Sequence, residues 1–402
     1  MDPDLRSDPQ RLKIFVTLLT TIFSTLLGAG IVVPLLPVYV RNHGAGGLMI
    51  GAVFASFSLS RTLLLPYFGR LSDRRGRKKL LVSGMLLYAL CTVFYVMGTE
   101  TYHIVLTRAF QGIGAAMVWP LAAAYVGDMT PKGREGAYMG WFNLASFAGL
   151  ACGPFLGGII NDLSGINGAF ISMGVISMLG FFMAVVFLPN KEVYRVKPKE
   201  KQKGTLRLLA SEPVLRGMFL FRFLYTICVA LIWSFQPVYL DAVMGLKSSW
   251  IGLLVSLNVA MAALMQAPMG RLADRVSRPG LIKIGALLQT VAICSLPFCR
   301  NLPELLIANL GFGLAGGFFL PALQAIATDL GRARKSMGAI MSVMLTGQSV
   351  GMLIGPMIGG VLYELVDFKT IFLIAGGVAL FSLIPVFTLL NPDRIAASLA
   401  DR

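Results

Sequence analysis

The chain has 402 residues, 56% of them hydrophobic and only 13% charged, with a formal net charge of +16. Its mean hydropathy is +0.75. Soluble domains carry about 25% charged residues, and a water-soluble fold of this length has too little interior to hide so much apolar surface. A purely aqueous globular protein is excluded, and the chain reads as an all-α integral membrane protein.

Apolar stretches of about 20 residues, each long enough to cross ~30 Å of hydrocarbon, recur along the chain. They fall near 14–40, 49–69, 79–98, 103–127, 137–161 and 168–189. After a polar stretch they return near 215–240, 249–269, 281–299, 303–329, 336–363 and 370–390. These predict twelve transmembrane helices. The short alternating segments of a membrane barrel are absent. The first stretch is too long for a cleaved signal peptide, and its glycine- and proline-rich half (Gly28, Gly30, Pro34, Pro37) runs straight into Tyr39 and Arg41.

Charge sorts the turns into two kinds. Of the 35 basic residues, only Arg41, Lys247, Arg300 and Lys369 fall on odd-numbered turns, and only Arg61, Arg108 and Arg222 fall inside spans. The others lie in the two termini and the even-numbered turns. By the positive-inside rule this predicts a multi-pass inner (plasma) membrane protein with both termini cytoplasmic. Positive charge spread over short loops also argues against a nucleic-acid partner. The five cysteines (Cys91, Cys152, Cys228, Cys294, Cys299) and two histidines show no ligand-like spacing, so no metal or cofactor is expected. No P-loop and no nucleophile–base pair is present, so the chain does not read as an enzyme.

The sequence repeats itself. Gly69-Arg-Leu-Ser-Asp73 after the second span returns as Gly270-Arg-Leu-Ala-Asp274 after the eighth, and Asp128 returns as Asp329, both 201 residues on. Gly149-Leu-Ala-Cys-Gly153-Pro154-Phe-Leu-Gly157-Gly158 returns as Gly351-Met-Leu-Ile-Gly355-Pro356-Met-Ile-Gly359-Gly360, 202 residues on. Coincident offsets predict two pseudo-symmetric six-helix halves, 1–189 and 214–402, joined by a basic cytoplasmic linker over 190–213 that carries Lys191, Arg195, Lys197, Lys199, Lys201, Lys203 and Arg207. Parallel repeats of this kind are the architecture of the major facilitator fold.

Four stretches carry a resemblance to the major facilitator superfamily, and within it to the twelve-span drug:proton antiporter group that includes the tetracycline exporters. The first is Gly69 to Lys79, which matches the superfamily's loop 2–3 signature. The resemblance implies a cytoplasmic gate built from Gly69, Asp73, Arg74, Gly76, Arg77, Lys78 and Asp128, with Asp73, Arg77 and Asp128 as a charge network. Gly69 is expected to let two helices approach closely, and Arg74, Arg77, Lys78 and Lys79 to anchor the turn to the inner leaflet. The second copy, with Pro279 in place of a basic residue, reads as degraded and structural.

The second stretch, Leu106-Thr-Arg108-Ala-Phe-Gln111-Gly112 in span four, matches the family's motif with a buried arginine linked to proton transfer. The third is Gly149 to Gly158, which resembles the antiporter signature. Gly149, Gly153 and Gly157, with Gly351, Gly355 and Pro356 in the repeat, are expected to pack tightly against span eight or eleven and to seal or hinge the outer side, with Pro154 kinking the helix. The fourth, Gly28 to Tyr39, resembles the group's first-helix pattern and is expected to bend the helix.

A buried charge in a span is functional by default. None of the 19 acidic residues is plainly mid-membrane, whereas Arg61, Arg108 and Arg222 are within spans. Asn143, Trp233, Gln236, Asn258, Gln324 and Gln348 are candidate cavity residues, because amides in lipid need partners and so face the interior. The sequence therefore reads as a secondary transporter, working as a monomer by rocker-switch alternating access, that exports small amphipathic or hydrophobic compounds in exchange for protons. The alternative reading is a transporter of organic anions or lipids that uses the intramembrane arginines and is not proton-coupled. In either case the partners are a small-molecule substrate and membrane lipids.

Overall fold

Lipid offers no hydrogen bonds to the backbone, so each crossing must satisfy its own N–H and C=O groups, which a helix does. The computed structural model describes residues 9–98, 100–131, 134–189, 212–334 and 336–400, without the side chains of Asp73, Glu135, Leu399 and Ala400. All its regular structure is helical. The linker expected at 190–213 lies outside the described residues except for Glu212 and Pro213.

Among the described residues, eleven helical segments are long and apolar enough to cross a membrane. One of them is twice the usual length: Glu135–Phe187 has 53 residues and holds one non-helical residue, Gly165, at φ 73° and ψ 179°. At 1.5 Å per residue such a segment is about 80 Å long, two crossings of a ~30 Å core. Only glycine adopts that backbone without strain. Gly165 therefore separates spans five and six, and the count of crossings is twelve. Span one is also in two parts, Pro9–Val32 and Leu35–Asn42, parted at Pro34. Span two is Gly47–Arg75, span three Arg77–Met97 and span four Thr101–Met129. Spans seven to eleven are Pro213–Ala242, Ser248–Ala273, Arg278–Ser295, Leu302–Ala333 and Met337–Leu365. Span twelve is Phe368–Phe381 continued by Leu383–Thr388, and a short helix, Pro392–Ala400, closes the chain.

The chain forms two compact units. The first is Met1–Ala45, Ser56–Lys199 and Leu240–Ser256; the second is Gly46–Ala55, Glu200–Tyr239 and Leu257–Arg402. Each holds one six-span repeat, less the first turns of span two or span eight, which belong to the other repeat's unit. The first unit is built around Leu18, Ile22, Leu81, Tyr88, Val118 and Phe142. The second is built around Phe221, Ile282, Phe319, Leu323 and Val386. In the second unit Arg334 pairs with Glu212, and Ser398 donates to the same carboxylate at 3.0 Å, which ties the closing helix to the start of span seven.

Glycine sets the helix spacing. A methyl group at Gly153 would meet Gly30 Cα and the Leu27 carbonyl oxygen at 2.7 Å, so span five lies directly on span one. Gly149 and Gly157 bring the same face against Phe23 and Ile31. In the second unit Gly351 and Gly355 put span eleven on Phe223 and Ile227 of span seven. The glycine stripe expected to meet span eight or eleven thus meets span one in the first unit and span seven in the second. The physical reason is phase: residues 149, 153 and 157 share one face, and the neighbouring face begins one residue on, at Gly158.

Candidate functional site

Three groups of candidate side chains stand out, one in the basic loops, one within the spans and one at the distal ends, away from the basic loops. The loop after span two turns on Gly76, whose φ of 94° demands glycine. Arg77, freed by that turn to begin span three, pairs with Asp128 at the end of span four at 2.7 Å. Both are less than one-sixth exposed. Lys78 donates to the carbonyls of Val185 (2.8 Å) and Leu188, capping the end of span six. Arg77 and Lys78 are therefore bound to protein groups, while Arg74 is exposed. A Cβ at Gly69 would meet nothing within 4 Å, so this glycine serves no close helix approach. The side chain of Asp73 lies outside the described residues. In the second unit Arg278 pairs with Asp329, each 201 residues from its counterpart. The second loop copy keeps the ion pair despite Pro279.

Within the first unit Arg108 is 3% exposed. Its Nη1 donates to Gln111 Oε1 at 2.7 Å, and that oxygen also accepts from Tyr95 at 3.0 Å. Gln111 Nε2 points at Met173 Sδ, 3.5 Å away, and the guanidinium lies 4.5 Å over the Phe57 ring. Span two comes close enough for this because Gly112 faces Phe57 and Ser60, and Ser60 donates to the Ala109 carbonyl at 2.7 Å. Arg61 is half-buried on span two, and Tyr88 lies within electrostatic reach of both Arg61 and Arg108. In the second unit Arg222 donates to Gln348 at 2.7 Å and lies 5.5 Å from the Tyr225 ring. Each described Asp and Glu sits at a helix end or a turn, Asp162 beside the Gly165 break.

The amide candidates separate. Gln236 is 2% exposed and bonded to Asn309 at 3.0 Å, a structural tie between spans seven and ten. Asn258 is buried with Nδ2 unpartnered among the described residues, and Trp233 is half-buried with Nε1 likewise. Asn143 and Gln324 are exposed. Among the described residues no group of three or more His, Cys, Asp or Glu could hold a metal ion.

The distal ends hold an arrangement that individual motifs did not announce. In the first unit both Asp162 oxygens accept from the backbone at the start of span eight, from Ser248 and Ser249, each at 3.0 Å. Asn161 donates to Ser248 Oγ at 2.8 Å, and Phe155 donates its N–H to Ser256 Oγ at 3.0 Å. Methyl groups at Gly158 and Gly252 would strike the Ser248 and Pro154 carbonyls. Arg41 adds an ion pair to Asp241 at 3.1 Å. In the second unit Glu364 accepts from the Gly47 N–H at the start of span two, and Gly360 and Pro356 lie against Gly47 and Gly51. Asp162 and Glu364 are 202 residues apart, and Ser248 and Gly47 are 201 apart. A carboxylate on the first N–H groups of a helix satisfies donors that have no partner inside it and meets the positive end of the helix dipole. Nearby, the Thr370 hydroxyl donates to Asp367 and holds its carboxyl below the usual range. The signal for these caps was available as acids recurring at the repeat offset.

Comparison with known proteins agrees with this geometry. The sequence profile of the Major Facilitator Superfamily matches residues 18–250 and 218–401. An uncharacterized MFS-type transporter of Methanocaldococcus jannaschii is 29% identical over 92% of this chain and 96% of its own. Multidrug resistance protein 2 of Bacillus subtilis is 26% identical over 94% of this chain and 95% of its own. The crystal structure of a bacterial homolog of the human lysosomal transporter Spinster, inward-facing and unoccupied, superposes with a TM-score of 0.75 at 15% identity, covering 98% of this chain and 97% of that one. Twelve crossings in two repeats and a profile matching both of them together establish that this chain is a multi-pass membrane transporter belonging to the Major Facilitator Superfamily.

Proposed function

We propose that this transporter exports small amphipathic or hydrophobic compounds from the cytoplasm in exchange for protons, as a monomer in the inner membrane with both termini cytoplasmic. The halves 1–189 and 214–402, joined by 190–213, rock about a central substrate region, and access alternates between the two sides. The observation that carries this reading is the reciprocal exchange at the distal ends. The first turns of span two pack with span eleven, those of span eight pack with span five, and each is held by a carboxylate of the other repeat. Short polar caps and glycine contacts are the kind of interface that can part and re-form, whereas an interdigitated apolar core cannot.

Several further features support the parts of the reading. The Arg77–Asp128 pair and its repeat Arg278–Asp329 sit at the cytoplasmic ends and act as the inner gate's fixed points. Arg108 and Gln111 carry the coupling, because a buried intramembrane guanidinium is functional by default and this one is bonded to Gln111. The name of the Bacillus subtilis relative supports an exporter of drug-like compounds. The test is flux in liposomes with an imposed pH gradient and a lumenal pH dye, adding cationic, neutral and anionic lipophilic compounds singly. Substrate-dependent proton movement, lost in Arg108→Ala, is the expected result; substrate flux with no proton movement contradicts the coupling.

A further inference from the structure

The second unit holds an intramembrane guanidinium, Arg222, with no ion pair among the described residues. Arg222 lies nine residues into span seven, about 13 Å along the helix axis, and is not aimed at the basic-loop side. Its Nη2 is bonded sideways to Gln348 of span eleven at 2.7 Å. Its Nη1 is buried and has no hydrogen-bond partner among the described residues. Span eleven lies close because Gly347 faces Arg222 Cβ and the Phe219 carbonyl. The other neighbours are aromatic: the Tyr225 face at 5.5 Å, and Phe219 and Phe223 stacked on each other at 6.1 Å. No ion pair to Arg222 exists among the described residues.

The unit's other unpartnered polar atoms share one character. They are Nε1 of Trp233, Nδ2 of Asn258 and Nε2 of Gln289, all N–H donors. Trp233 follows Arg222 by eleven residues, three helical turns, and so shares its face of span seven. Arg222 is half-buried overall, and its buried Nη1 is a charged donor, which is costlier to leave unbonded than a neutral one. A guanidinium with a spare buried donor, beside Gln348 and the Tyr225 ring, is complementary to an acceptor-only ligand with an apolar body.

We propose that Arg222 and Gln348 form a receptor for the anionic head of an amphiphile, a carboxylate, sulfonate or phosphate attached to an apolar group. This rests on the transporter reading above and assigns a preferred charge to its substrate. The same chemistry is offered by a small organic acid and by an anionic phospholipid, and the two sources are separated by experiment.

Full-length protein in phosphatidylcholine nanodiscs is titrated with 1-naphthoate, 1-naphthamide and 1-naphthylmethylammonium, which share a ring and differ in charge. Binding of 1-naphthoate is expected to be tightest, and Arg222→Gln is expected to weaken it about tenfold or more, with Arg222→Lys between. Gln348→Glu guards against misfolding of the first variant. It sets a built-in carboxylate beside Arg222, so melting should rise while 1-naphthoate binding falls by a similar factor. Repeating the titration with phosphatidylglycerol in the disc identifies the source: a lipid ligand lowers the apparent 1-naphthoate affinity in the wild type and not in Arg222→Gln. Equal binding of the three compounds, or 1-naphthoate binding unchanged in both Arg222→Gln and Gln348→Glu, overturns the proposal. Export of neutral or cationic compounds in the liposome assay would persist in that case, so failure here is distinct from failure of the transporter reading.

Discussion

Arg77 and Asp128 illustrate what a residue does when its neighbours are fixed by a turn. Gly76 at φ 94° breaks the chain between spans two and three, and the next side chain reaches the end of span four. Both members are less than one-sixth exposed, so removing one takes a charge-assisted hydrogen bond from a largely buried partner. Asp128→Asn and Asp329→Asn are each expected to lower unfolding free energy by about 1–3 kcal/mol, read as a drop in melting temperature in detergent. Exchanging the partners, Arg77→Asp with Asp128→Arg, should recover most of the loss. Equal melting of Asp128→Asn and wild type would show that the pair is a surface contact of no consequence. At this scale the sequence was informative wherever a residue recurred at the 201–202 offset or sat as a charge in an apolar run. Arg108 and Arg222 were visible for that reason. Gly69 was misjudged because a glycine in a motif has many reasons to exist, and only the neighbouring backbone tells which applies.

At the scale of elements, the feature of greatest consequence is the pair of carboxylate caps. Asp162 holds the start of span eight and Glu364 the start of span two. Losing a side-chain cap destabilises a helix start by about 1 kcal/mol, and the charge–dipole interaction contributes a comparable amount. Asn and Gln keep an accepting oxygen and lose the charge, so Asp162→Asn and Glu364→Gln are each expected to weaken their cap by about 1 kcal/mol and shift the distal ends toward separation roughly fivefold in population. The check uses Ser256→Cys in a chain otherwise free of cysteine, since Ser256 is 8% exposed and accepts from Phe155 N–H. Its labelling by an impermeant maleimide should quicken several-fold in Asp162→Asn, and an unchanged rate would remove the caps from the gating account. The helices themselves were legible from twenty-residue apolar runs, to within a few residues. Which face of a helix meets which neighbour was not. The stripe at Gly149, Gly153 and Gly157 and the adjacent Gly158 differ by one position in sequence and by a whole neighbour in space, because each residue turns the helix by about 100°.

For the molecule as a whole, duplication was the strongest signal. A chain whose halves repeat charge pairs, glycine–proline stretches and acid caps at one offset needs only half the information to specify twelve crossings. The exchange of helix starts between the two units was not legible, because it depends on contacts between residues some hundred to three hundred positions apart, such as Asp162 with Ser248 and Gly47 with Glu364. On substrate the sequence offered only a charge pattern: Arg61, Arg108 and Arg222 lie within spans, while each described Asp and Glu sits at a helix end or a turn. The proposed exporter is coupled to protons through Arg108 and not through a carboxylate. The decisive experiment is purified protein in liposomes under an imposed pH gradient, with lumenal pH followed as each lipophilic compound is added. Compound-dependent proton movement is expected in the wild type and is expected to disappear in Arg108→Ala. Compound flux with no accompanying proton movement, or proton movement undiminished in Arg108→Ala, would contradict it.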